Sequence, residues 1–463
     1  MDVIRFGTHK IRPIRSKTGW AFFTLIFLTV VGCSWPQPKA VSPASSPSIA
    51  QLAQTTAQIR GLPFKWQVTM SDQPAATSAP GADEYGTQGV AQLSRVYKRI
   101  GLLSESVDLG KSLIEFSKLR RIAFYEAERR AIVLSPEAAK MGQALAGAAT
   151  PEASALTAVI ALTHALQEQH FQWQERVKQL SLEDRKLAFR AVAEGDAMRV
   201  ALSFLKADQS PATWADQVQA IGRLTRELER EASSLPAMLR ERLIFPYREG
   251  SQFVQWAYAA KGWEGVNGLF ADPPVSSAQI LHPEKYYLRR EAPLQISPFG
   301  LFRQTEEEAV VEQTLGEYLV QVLLASSHSR QEAALIASGW TGDYLSAYSD
   351  GTHLITIWLS AWNDDGGAQK FYRALQTTFE RRHRLRFEVS PRPSDGLRAN
   401  VGAGRSAVLQ AKGSLVLLVD GVASARAAET SEAIWKELEI GTESPPMPFE
   451  TAKRTAHLSL TKK

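Results

Sequence analysis

The chain has 463 residues, 44% of them hydrophobic and 22% charged, with a formal charge of +5 and a single cysteine. That length asks for more than one domain, and that composition excludes collagen-like, coiled-coil and wholly disordered chains. One cysteine excludes an internal disulfide, a Cys-based zinc site and a CxxC redox pair. The positive charge is local: Arg5, Lys10, Arg12, Arg15 and Lys17 stand against Asp2 alone, a net of +4 within residues 1–32, so the remainder carries +1. No nucleic-acid partner is expected from so small a balance.

Residues 1–20 are basic and polar, and Ala21–Gly32 is a 12-residue run without charge. A bilayer span needs about 20 apolar residues, so the run reads as the h-region of a secretory signal. It closes on Val30-Val31-Gly32-Cys33, which resembles the lipobox of bacterial lipoproteins. The resemblance implies cleavage before Cys33 and lipidation of its thiol. Membrane lipid held through Cys33 is then a partner, and the location is the cell envelope, periplasm-facing or extracellular. Residues 33–86 are rich in Pro, Ser and Ala and read as a tether too poor in apolar residues to fold. Leu62–Val68 interrupts it and is expected to dock on the body as a strand.

Beyond Val90 the pattern is mainly helical. Ile122–Tyr125 and Ala131–Leu134 flank a charged turn and predict a β-hairpin. Thr150, Pro151 and Glu152 mark a helix start, as N-cap, first-turn proline and first-turn acid, and the helix runs through an almost wholly apolar stretch to Trp173. A second helix is read from near Ser181 to about Lys206, a third over Gln217–Ala232. Asp272–Pro298 is Pro-rich and aperiodic, a crossing between domains. Past it, Glu306–Ala325 and Gln331–Ser338 read as helices, and Tyr344–Tyr348 with His353–Leu359 as a hairpin. Ala368–Arg382 reads as a helix and Leu385–Val389 as a strand. Ala407–Ala411 with Leu415–Val419 reads as a further hairpin and Ser424–Glu439 as the last helix. The fold class is α+β: a mainly helical domain with a hairpin over 87–290, then a smaller α+β domain over 291–463.

Two positions carry chemistry. His164 is the strongly polar residue inside the apolar stretch 153–166, and Glu194 falls on the apolar stripe of Leu187, Ala191, Met198 and Leu202, whereas Asp196 points the opposite way. A carboxylate on an apolar face needs a partner, and Gly195 beside it lets another helix approach. His164 and Glu194 are therefore expected to meet.

The segments that carry these two residues resemble bacterial zincin-like metallopeptidases of the gluzincin type. In that family an HExxH helix commonly continues as HELTHALQDQHF, and a later helix carries a third zinc ligand in an EGDA setting. Leu162–Phe171 matches the tail of the first motif and Glu194-Gly195-Asp196-Ala197 the second. Leu243–Gly250 and Asp272–Lys285 add to the match over roughly residues 90–290, and Thr314–Glu317 and Gly339–Asp343 extend it. The departure is decisive for chemistry. The family's first ligand His falls on Ile160 and its catalytic Glu on Ala161, and neither side chain can coordinate a metal or carry a proton. His164 and Glu194 remain as remnant metal-site positions, read first as a buried hydrogen-bonded pair. Glu168, four residues after His164, and His170, six after it, are the alternative ligands that a rearranged zinc peptidase would use. The reading is a catalytically degenerate binding or scaffold protein without cofactor, its partner a peptide, an envelope polymer or an envelope protein. The alternatives are an active zinc metallopeptidase with a rearranged site, and a structural lipoprotein whose cleft is closed by packing. No P-loop is completed at Gly110-Lys111-Ser112, and no GxSxG elbow occurs. Trp340, Trp358 and Trp362 are read as core rather than groove.

Overall fold

A helix that is apolar all round must be enclosed by others, and the Pro151–Phe171 helix is enclosed on every side in the computed structural model. The structure describes residues 47–71, 86–206, 213–298, 309–349, 353–390 and 396–441. Cys33 and the signal and lipobox readings lie outside them. In chain order come α1 Ile49–Arg60, β1 Thr69–Ser71, α2 Gly86–Arg99, α3 Leu109–Arg120, β2 Ala123–Glu126, β3 Ala131–Leu134 and α4 Ala138–Ala146. They are followed by α5 Pro151–Phe171, α6 Trp173–Lys178, α7 Glu183–Leu205, α8 Trp214–Glu231, α9 Ala237–Ala271, α10 Ser277–Leu281 and α11 Pro283–Tyr287. Among the described residues no single helix is long and apolar enough to cross a membrane.

The start of α5 is as the sequence writes it. Thr150 caps the helix by accepting from the Ala153 N–H, and Pro151 fills the first turn. Helix α7 lies beside α5, and α9 lies against α7 at a contact made by two glycines. An added Cβ on Gly195 would stand 2.3 Å from the Gly250 carbonyl oxygen, and one on Gly250 2.1 Å from that of Ala191. The expected hairpin is present: β2 and β3 pair antiparallel, and β1 adds in parallel on the far side of β3. That leaves β2 as an outer strand, beside α5.

Residues 47–71 correct the tether reading. Helix α1 opens on a Ser48 capping box, closes on Gly61 in the left-handed region (φ 72°), and buries Leu52, Thr56 and Arg60. It folds because its buried stripe meets a specific partner. Arg60 Nε lies 2.8 Å from Asp196 on α7, both side chains fully buried, and Arg60 Nη2 donates to Asn267 at 2.8 Å. The segment Leu62–Val68 is not itself a strand; the strand is β1, immediately after it.

The second part comprises β4 Gln295–Pro298, β5 Ala309–Gln313, α12 Gly316–Leu324, α13 Arg330–Ala337, β6 Trp340–Ser349, β7 Leu354–Trp362, α14 Asp365–His383 and β8 Glu388–Val389. It ends with β9 Leu397–Gly402, β10 Arg405–Lys412, β11 Leu415–Ala423, α15 Ala427–Glu437 and β12 Leu438–Gly441. The class is α+β as expected, a helical first part and a β-rich second part. Seven strands form an antiparallel sheet in the order β5-β6-β7-β11-β10-β9-β8. Its central strands are buried on both faces. Along β7, Leu354, Trp358 and Trp362 enter the core that also holds Phe371 of α14, while Ile357, Leu359 and Ala361 enter the one that holds Ala427 and Ile434 of α15. The three tryptophans are core, as read. The expected single helix Glu306–Ala325 is instead β5 followed by α12. Gly316 opens α12 at φ 75°, and Val311 with its neighbours pairs against β6. The Gly402-Ala403-Gly404 run turns β9 into β10.

The helical and sheet parts share a hydrophobic core, in which Leu162 and Leu243 belong to the same cluster as Leu319 and Trp358. All described residues fall in one compact unit, Ser46–Lys463. Beside the seam where Asp184 of α7 meets Gly316, Asp343 ties α12 to the sheet. It accepts from the N–H groups of Leu315 and Gly316 and from the indoles of Trp340 and Trp358, each at 3.0 Å.

Candidate functional site

His164 projects from α5 and Glu194 from α7, and the structure brings them together as expected: Nε2 and Oε2 are 3.4 Å apart, with side-chain exposures of 6% and 12%. Neither atom has a hydrogen-bond partner among the described residues. The Trp173 ring meets His164 edge-on, 5.7 Å between centroids. One turn earlier on α5, Ile160 and Ala161 are packed into the core. The positions that resemble the first metal ligand and the general base therefore hold alkyl side chains in van der Waals surroundings.

A catalytic zinc takes three protein ligands and a water. The alternative ligands do not supply the third. Glu168 turns toward the next helix, accepting from the Gln174 N–H at 2.8 Å, and burial pushes its carboxyl up from the ordinary range. His170 Nε2 donates to the Pro63 carbonyl at 2.7 Å. Both line a separate cavity of about 510 Å³ with Lys65 and Trp66, not the cleft of His164. Among the described residues no three His, Cys, Asp or Glu side chains gather as a metal site. The residues present do not fit a zinc ion of the kind the resemblance implies.

His164 and Glu194 lie in an open cleft of about 740 Å³. Its walls are the end of α3, strand β2 with the turn after it, helix α6 and one face of α7. Phe124, Tyr125, Trp173 and Val177 give it an apolar lining; Arg120, Arg121, Arg129, Lys178 and Arg190 give it positive charge. Three carboxylates oppose these five cations: Glu126, Glu128 and Glu194. Glu126 is already engaged by Arg121 at 3.4 Å and Arg129 at 3.0 Å. A small recess adjoins the cleft, and Arg120, Arg190 and Glu194 line both. Tyr247 also lines it; burial first, then the charge of Glu194, holds its hydroxyl well above the usual phenol range. Such a site can hold a ligand and orient it.

Two polar clusters were not visible as sites in the sequence. Asp196, on the opposite side of α7 from Glu194, is as buried as the core, held by Arg60 and by Gln167 Nε2 at 3.0 Å. At the seam, Asp184 accepts from the Ser277 N–H at 3.0 Å, and burial raises its carboxyl to about 7. Both are structural: neither lines the cleft. The signal for the first was Asp196 within the Glu194–Ala197 motif; nothing in sequence pointed to Arg60 as its partner.

A family model described as a domain of unknown function (DUF8575) matches residues 303–431, the stretch that holds the seven-stranded sheet and not the cleft. No curated protein and no solved structure matches the chain.

Proposed function

We propose that this chain is an envelope lipoprotein, anchored through Cys33, whose zincin-like helical part keeps a metallopeptidase-shaped cleft without the catalytic groups and uses it for binding. One observation carries the reading. Ile160 and Ala161 are packed in the core where a ligand and a base would stand, while the cleft beside His164 and Glu194 stays open to about 740 Å³. An open cleft also speaks against a purely structural lipoprotein with its groove filled. Losing a general base typically costs about 10²–10⁴-fold in rate, and losing a zinc ligand weakens the metal that base would serve. The ligand is a peptide, an envelope polymer or an envelope protein that reaches the cleft from the same membrane face.

The rearranged-peptidase reading is not favoured, because Glu168 and His170 face a different cavity from His164 and Glu194. The test is zinc content by elemental analysis of the full chain purified in detergent, beside casein hydrolysis with added zinc. Less than a tenth of an equivalent of zinc and no hydrolysis are expected. Stoichiometric zinc with chelator-sensitive hydrolysis would refute the proposal.

A further inference from the structure

We infer that the cleft recognises an oxyanion, a carboxylate or a phosphate, carried on an apolar stem. The inference rests on the cleft being a binding site and names what it binds. The first observation is charge: five cationic side chains line the cleft against three carboxylates, and Glu126 is shared by Arg121 and Arg129. The second is placement. Arg120, at the end of α3, and Arg190, one turn before Glu194 on α7, line both the cleft and the recess that adjoins it. Both also interact within the protein. A guanidinium has five N–H donors in a fixed fork, so it can serve an incoming oxyanion beside a partner it already has.

The third observation is the buried His164. Its Nε2 makes no hydrogen bond among the described residues and lies 3.4 Å from Glu194 Oε2, and both residues line the cleft. A buried polar atom without a partner costs free energy that a ligand atom recovers. Trp173, Val177 and Phe124 line the same space, which suits an aromatic or aliphatic stem. A metal cation would meet the excess of positive charge, and among the described residues no three His, Cys, Asp or Glu side chains gather to ligate it; an anion meets the complementary field.

The test uses probes that share a phenyl-alkyl stem and differ in the head group. The full chain in nonionic detergent is titrated by calorimetry with 4-phenylbutyrate, its uncharged amide and phenethyl phosphate, with titrations into empty micelles subtracted. At least one of the two anions is expected to bind about tenfold or more tightly than the amide, the scale of one charge-assisted hydrogen bond, and the two anion arms show which oxyanion is preferred. The ratio should fall toward unity in Arg190→Gln or Arg120→Gln and persist in Arg190→Lys, with melting curves confirming that each variant folds. Equal binding of acid, phosphate and amide would overturn the inference while leaving a binding cleft. No binding of any probe at millimolar concentration would overturn the inference and count against the binding function itself. A ratio unchanged in both glutamine variants would overturn the assignment to these arginines.

Discussion

Replacing Arg60 by methionine tests whether α1 is part of the folded body. The guanidinium is fully buried, 2.8 Å from Asp196 and 2.8 Å from the Asn267 side-chain oxygen, and lies 4.6 Å from the Trp263 ring centroid. Methionine keeps most of the apolar stem and removes the charge, so Asp196 is left buried with Gln167 as its remaining partner at 3.0 Å. Breaking one side of a buried ion pair costs about 3–5 kcal/mol, and the lost cation–π contact adds about 0.5–2 kcal/mol. With an unfolding entropy near 2 cal/mol/K per residue, a unit the size of Ser46–Lys463 loses about 1 °C of melting temperature per kcal/mol. Arg60→Met should therefore melt roughly 4–7 °C below wild type in calorimetry. The double variant Arg60→Met/Asp196→Leu should recover most of that loss, because Gln167 Nε2 keeps its bond to the Ala193 carbonyl at 2.9 Å and no charge stays stranded. A single-variant loss under about 1 °C, or a double variant as unstable as the two single losses added, would refute the reasoning.

Gly195→Ala should lower stability by about 2–3 kcal/mol in chemical denaturation, because its Cβ would sit 2.3 Å from the Gly250 carbonyl oxygen and α7 would have to leave α9; an unchanged midpoint would contradict that contact. Asp184 is raised by burial from 3.8 to about 7, opposed by its hydrogen bonds to Ser277. The folded state thus holds a proton that the unfolded chain releases, and this group's contribution to stability is full below the unfolded value and falls as pH rises through about 7. Melts of wild type and Asp184→Asn across this range should converge or cross in the variant's favour as pH rises; parallel curves would contradict it. Cys33→Ser, expressed in a bacterium that processes lipoproteins, should lose the acyl mass and move from the membrane to another fraction or keep its signal. An unchanged mass and distribution would remove the lipid anchor from the proposal.

Much of the site was legible because it depends on local periodicity. His164 and Glu194 each stood on an apolar helical face, and two buried faces in adjacent helices leave few places for such groups but against each other. The α5 start was written in Thr150-Pro151-Glu152, and the hairpin in its two apolar runs. What failed was set by distant partners. The stripe of α1 is Leu52, Thr56 and Arg60, one apolar residue in three, and its burial depends on Asp196, which lies 136 positions later. Helical spacing puts Glu168 near the face of His164, yet α5 ends at Phe171 and the free N–H of Gln174 draws the carboxylate away. The stretch Glu306–Ala325 reads as one helix because its alternation is weak. Pairing with β6 and the left-handed Gly316, held by Asp343, split it. The cationic wall of the cleft was visible only as scattered arginines, since it is assembled from α3, the hairpin turn, α6 and α7.

The central claim is that the cleft of His164 and Glu194 is not a metal site, and the most direct measurement is thermal unfolding of wild type and Glu194→Ala, each with chelator and with micromolar zinc. A ligand that binds only the folded state raises its stability by mass action, about 2.7 kcal/mol at a hundredfold excess over the dissociation constant. Melting temperatures are expected to be the same with zinc and with chelator, in wild type and in Glu194→Ala alike. A zinc-dependent rise in wild type that disappears in Glu194→Ala would contradict it.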